Sequence, residues 1–109
     1  MRIDFNDLQP VTMPGMNNGT GTMTVSMYNN EKYRIILTRI HAGGSIGMHT
    51  QTSGDDMNYI LSGTGKAVCD GVEEDLAAGV MHICPKNSEH SIINTGSDDL
   101  VMLTIVAAR

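Results

Sequence analysis

The stretch GMHTQTSGDDMNYILSG, residues 47–63, places an imidazole at His49, an amide at Gln51 and a carboxylate at Asp56 just ahead of an apolar run that ends on glycine. Side chains of these types bind divalent metal ions or move protons. In an extended strand residues i and i+2 share a face, so His49 and Gln51 point the same way, and Asp56 and Asn58 do so on the strand that follows. A second polar cluster, PKNSEHSIINTG, carries His90 within another β-rich run.

The elements that must hold these residues are all strands. No window shows a sustained 3.6-residue period with an N-cap, whereas short β-rich runs broken by Gly, Asn and Asp recur along the whole chain. The runs are 23–28, 33–41, 47–51, 57–61, 66–69, 72–76, 80–84, 90–94 and 100–107. An all-β sandwich or barrel accommodates them. Asn29-Asn30-Glu31-Lys32 reads as a hairpin loop, and Asp70-Gly71 as a two-residue turn, since both positions tolerate positive φ. PGMNNGTG, residues 14–21, is rich in breakers and polar, and is expected to be a surface loop.

Composition narrows the function classes. The 109 residues, of mass 11.7 kDa, suit one domain spanning 1–109, and no run approaches the roughly 20 apolar residues of a membrane span. A net charge of −5 without a basic cluster argues against nucleic acid as a partner. No secretory signal is visible in MRIDFNDLQP, so a cytoplasmic location is expected. Cys69 and Cys84 read as small core residues.

The spacing of the polar residues follows a pattern. Gly43, His49, Gln51, Asp56 and Gly63 are separated by five, one, four and six residues, and Gly79, Pro85, Asn87, His90 and Asn94 by five, one, two and three. The two sets resemble the paired motifs of the cupin superfamily, G-x5-H-x-H-x3,4-E-x6-G and G-x5-P-x-G-x2-H-x3-N. The phrases NYILSGTGKAVCDG and PKNSEHSIINTG are typical of that family, and the resemblance spans residues 43–94. It implies a double-stranded β-helix, a jelly-roll barrel, whose open end holds a divalent transition metal ion (Fe, Mn, Ni or Zn). The implied ligands are His49, Gln51, Asp56 and His90. It also implies a homodimer, in keeping with Tyr59 and Leu61, whose parity opposite to Asp56 sends them to the outer side of their strand.

Three positions depart from the family pattern. Gln51 stands in place of a histidine and offers a weaker, neutral oxygen donor. Asp56 replaces a glutamate one methylene longer, with Asp55 as the competing carboxylate. Asn87 replaces a glycine, a mild change because asparagine tolerates left-handed backbone. With Asp56 in reach, the strong ligands reduce to the two-histidine, one-carboxylate set that suits non-haem Fe(II) and leaves positions open for substrate.

Among the other polar residues, Asn58 is a candidate for the cavity wall, and His82 lines the cavity or faces solvent according to which face of its strand is core. His41 is expected at the surface or in support of the site. Glu73-Glu74-Asp75 and Asp98-Asp99 read as solvated acidic positions. The functional reading that follows is a small metal-dependent enzyme acting on a small organic molecule, dioxygenase-type oxidation first, with isomerase, decarboxylase or lyase chemistry behind it. The alternative is a non-catalytic binding or sensor module for a carbohydrate-like or other small ligand, its metal site degenerate.

Overall fold

The computed structural model describes residues 1–108, and its strands form two antiparallel sheets. In chain order the strands are β1 (Val11–Pro14), β2 (Thr22–Asn29), β3 (Tyr33–Ile40), β4 (Ser45–Thr50), β5 (Gly54–Ser62), β6 (Thr64–Cys69), β7 (Val72–Ala77), β8 (Met81–Cys84), β9 (Glu89–Asn94) and β10 (Leu100–Ala108). One sheet has the order β1-β2-β3-β10-β5-β8, the other β4-β9-β6-β7. The all-β architecture is the one expected from the runs of β-formers, and the jelly-roll arrangement is the one that the family resemblance implies. All nine runs are strands, within a residue or a few at their ends.

Period-two burial sets which faces meet. Along β10, Leu100, Met102, Thr104 and Val106 are buried while Val101, Leu103, Ile105 and Ala107 are half-buried on the opposite face. β10 pairs with β3 on one side and β5 on the other, so it forms the middle of its sheet. Leu100 and Met102 join Ile40 and Ile60 from the same sheet and Ala67, Leu76 and Ile92 from the other in one apolar cluster. Each fully buried aliphatic side chain there contributes on the order of 1.5–3 kcal/mol.

The turns form where the local chemistry allows them. Asp70 and Gly71 have φ of 49° and 81°, and they join β6 to β7. The Asp70 carboxylate also accepts the Glu89 backbone N–H at 2.9 Å, which holds its carboxyl below the ordinary carboxylate range, with the Ser88 hydroxyl contributing less. Asn30 Oδ1 accepts the backbone N–H groups of Lys32 and Tyr33 across the β2–β3 loop. Asn87 has φ of 74°, the left-handed conformation for which its side chain is suited.

One segment differs from expectation. Residues 14–21 are not a free surface loop: Pro14 ends β1, a strand the sequence reading lacks, and Met16–Asn18 form a short 3-10 turn packed on β4. Main chain approaches main chain here, while Met16 packs against the cluster of Met23, Val25 and Ile36. A Cβ at Gly15 or Gly19 would collide with the Ser45 carbonyl, and one at Gly47 with the Asn17 carbonyl. Ser45 completes the join, its N–H donating to the Thr20 carbonyl at 3.0 Å and its hydroxyl accepting the Thr20 N–H at 2.9 Å. Polarity therefore did not exclude packing, because glycine lets main chain approach main chain.

The two cysteines sit just behind the polar centre described next. Cys69 pairs in register with His90, and Cys84 with Asp56. Cys84 is fully buried and Cys69 half-buried, which fits the core role expected of the first and only partly that of the second. Burial, reinforced by the Cys69 thiol and by the Asp56 and Asp70 carboxylates, pushes the Cys84 thiol up to about 12. At pH 8 its thiolate fraction is then about one in ten thousand. Iodoacetamide at that pH is expected to leave Cys84 of the native protein unmodified and to label it fully in urea, as read by mass spectrometry. Rapid native labelling of Cys84 would contradict this burial.

Candidate metal centre

The polar residues singled out by spacing converge between the two sheets. β4 and β9 of the four-stranded sheet carry His49 and His90, which face each other as a cross-strand pair. β5 of the six-stranded sheet carries Asp56 and Asn58, both buried. One ligand atom each from His49, Asp56 and His90 lies within 4.8 Å of the others. His90 Nε2 stands 3.2 Å from Asp56 Oδ2 and 3.2 Å from His49 Nε2.

Each of these side chains is held by a partner outside the cluster. His49 Nδ1 donates to the Gly47 carbonyl at 2.9 Å, which leaves the Nε2 lone pair facing His90. Asn58 Nδ2 donates to Asp56 Oδ1 at 3.2 Å, and the Thr104 hydroxyl donates to Asn58 Oδ1 at 2.7 Å. Asp56 is thus oriented through Asn58 from β10, with Oδ2 left for the histidines. Three donors of this chemistry, directed at one point and supported from behind, fit a divalent transition metal.

The cluster lies against a cavity of about 250 Å³ lined by both sheets and by the turn at Met16 and Asn17. Gln51, one residue beyond the end of β4, lines it on the same side as His49. One of its amide hydrogens goes to Ser53 Oγ at 3.2 Å, and its amide oxygen makes no hydrogen bond to a described residue. Asp55 points the other way, its Oδ1 accepting the Lys86 backbone N–H at 2.9 Å. Asn58 lies on the cavity wall.

His82 occupies neither of the two places considered for it. It is buried, yet it does not line the cavity; it lies behind His90 with the rings stacked at 5.3 Å. The inward face of β8 meets the other sheet there, so His82 contacts Glu74 of β7 instead of solvent. Glu74 is correspondingly no mere solvated acid. His41 ties the ends of β2 and β3 to the turn before β10, bonding Thr24 Oγ1 and Asp99 Oδ1 at 2.8 Å each.

Arg34, Thr38 and Thr104 also line the cavity, and the sequence reading assigned none of them. Their strands carry apolar residues at both parities, so alternation could not tell the cavity side from the outer side. Arg34 is exposed at the cavity, and its guanidinium makes no hydrogen bond or ion pair with a described residue.

Facing antiparallel sheets with a metal-compatible cluster at one end define a jelly-roll barrel of the kind that the motif spacing resembles. The Cupin domain family model matches residues 36–106, and the chain belongs to that family. A curated relative, the oxalate-binding protein of Thermotoga maritima, is 24% identical over 112 residues, covering 97% of this chain and 93% of the relative. The crystal structure of a predicted oxalate decarboxylase from Thermotoga maritima matches with a TM-score of 0.92 at 24% identity, covering 100% of both chains. An RmlC-like cupin from Shewanella frigidimarina matches with a TM-score of 0.76 at 15% identity, covering 95% of this chain and 86% of that one. Structural likeness at these identities carries the fold.

Proposed function

We propose that this cupin holds a divalent transition metal ion on His49 Nε2, Asp56 Oδ2 and His90 Nε2, with the Gln51 amide oxygen as a weak fourth donor, and takes a small carboxylate of the oxalate class in its cavity. The observation that carries the reading is the juxtaposition, on one small cavity, of three convergent donors with a guanidinium that is unpaired among the described residues. The metal would supply Lewis acidity toward a bound carboxylate. Arg34 would hold a second carboxylate through charge-assisted hydrogen bonds at the solvated mouth, and the apolar walls at Ile36, Ile46 and Ile92 would strengthen the interaction at the metal by excluding water.

The oxalate named for the Thermotoga maritima relative and for the similar structure moves decarboxylation ahead of dioxygen-dependent oxidation. Oxalate monoanion would give carbon dioxide and formate. The electron pair of the broken carbon–carbon bond would end in the formate C–H bond, with no net redox change. The second reading, a binding module that retains the carboxylate without turnover, is supported by the name of the curated relative, which is a binding protein.

Calorimetric titration of the metal-loaded protein with oxalate, alongside an assay for formate, tests both. Oxalate binding with formate release supports the enzyme; binding without formate supports the module; no binding ends the carboxylate reading. Arg34→Gln is expected to weaken oxalate about tenfold, the effect of one charge-assisted hydrogen bond at a solvated position, and to leave metal content unchanged.

The same reading includes a cytoplasmic homodimer. The outer face of the six-stranded sheet carries two cross-strand apolar rows, Ile35–Ile105–Met57–Ile83 and Leu37–Leu103–Tyr59–Met81. Met81 and Ile83 are each 50% exposed, and a face this continuous asks for cover by a second copy. Sedimentation is expected to show a dimer at micromolar concentration and a monomer for the double substitution Tyr59→Arg, Met81→Glu. A parent chain that sediments as a monomer at high micromolar concentration overturns this part.

A further inference from the structure

His82 has no exposed side-chain surface and does not line the cavity, yet both of its ring nitrogens are engaged. Its Nδ1 lies 2.6 Å from Glu74 Oε1, and its Nε2 lies 3.0 Å from His90 Nδ1. Glu74, on β7, is 48% exposed at its side chain. A line of three side chains therefore runs from the protein surface, through the seam between the sheets, to the back of a histidine whose other nitrogen faces Asp56 and His49. Neither Glu74 nor His82 occupies a position of the two motifs.

The positions of the protons follow from the acceptor at the outer end. An ionised carboxylate can only accept, so the hydrogen between Glu74 and His82 sits on His82 Nδ1. A neutral His82 then presents a lone pair at Nε2, and the hydrogen of the next bond must come from His90 Nδ1. His90 is left with a lone pair on Nε2, the nitrogen 3.2 Å from Asp56 Oδ2. Without the relay, the Asp56 carboxylate would draw the hydrogen to that same nitrogen, the tautomer that cannot ligate.

We propose that Glu74 and His82 are positioning residues that hold His90 in its metal-ready tautomer, Glu74 acting on His82 and His82 on His90. The inference rests on the metal reading, since its purpose is to keep Nε2 free for the ion. It explains why a histidine is buried behind the site, where an apolar residue would fill the same space without needing partners. It also gives a role to a half-exposed glutamate at the seam between the sheets.

Two measurements on the full chain test it. Nitrogen-15 NMR of the metal-free protein reads the His90 tautomer directly, and the expected form carries its hydrogen on Nδ1. Titration with Co²⁺ is expected to show a dissociation constant raised about tenfold by Glu74→Gln and ten- to a hundredfold by His82→Phe, the range for loss of an outer partner of a metal ligand. His82→Gln, whose amide oxygen can accept from His90 Nδ1, is expected to recover most of the affinity lost in His82→Phe. Glu74 is half-exposed, so its variant keeps the test intact should His82→Phe fail to fold.

The proposal is overturned if the parent binds Co²⁺ and both Glu74→Gln and His82→Phe bind it within twofold of the parent. It is overturned equally if His90 of the metal-free parent carries its hydrogen on Nε2, donating to Asp56. A parent chain that takes up no Co²⁺ ends the metal reading alone, and the His90 tautomer then decides the relay.

Discussion

Asp56→Ala is expected to lower metal affinity by at least about a hundredfold, more than loss of an outer partner costs, because it removes the only carboxylate among the three convergent donors. His49→Ala and His90→Ala should act in the same direction. Asp55→Ala is the internal control. Its carboxylate accepts the Lys86 backbone N–H rather than facing the cluster, so metal content should match the parent's. Gln51→His should move the other way, since an imidazole on the strand face shared with His49 is a better donor than an amide oxygen. Bound metal after identical dialysis, followed by Co²⁺ titration, checks the series. Equal losses from Asp55→Ala and Asp56→Ala would show that the carboxylates are misassigned.

Asn94→Ala is expected to destabilise the fold by about 3 kcal/mol, through backbone groups left without partners. Asn94 is 6% exposed, and it closes the second motif without lining the cavity. Its Nδ2 donates to the Ile40 carbonyl at 2.8 Å and to the Asp98 carbonyl at 2.9 Å, while its Oδ1 accepts the Gly96 N–H at 2.9 Å. One side chain thus joins the ends of β3 and β9 to the turn that leads into β10. Alanine removes all three bonds at this buried junction. Urea unfolding should show a lower midpoint at an unchanged slope. A loss below about 0.5 kcal/mol would mean that water replaces the amide at no cost and that the join is not structural.

How much was legible in the sequence depends on whether the deciding physics was local. Residues with positive φ at Gly43, Gly63, Asp70, Gly71, Gly79 and Asn87 could be anticipated, because backbone sterics restrict that conformation to a few residue types. Asp56 with Asn58 and His49 with Gln51 were placed together because the side-chain period of a strand is two. The strands themselves were recognisable from β-branched runs between breakers. β1 was not: its four residues include a proline and show no burial pattern, and the strand exists by pairing with β2 at the edge of the sheet.

What the chain determined by itself was therefore the set of strands, the tight turns and the residues that share a face. The tertiary structure decided which face becomes the interior and what meets it there. His82 shows the difference most plainly. Alternation along β8 put it on one side or the other, but only the approach of β7 and β9 placed it between Glu74 and His90. Arg34 reached the cavity, and Gly19 and Gly47 let the 14–21 segment lie on β4, for the same reason. A strand's period is a property of its own backbone, whereas the side of a sheet that is buried depends on which distant strand stacks against it, and that contact is made between residues far apart in the sequence.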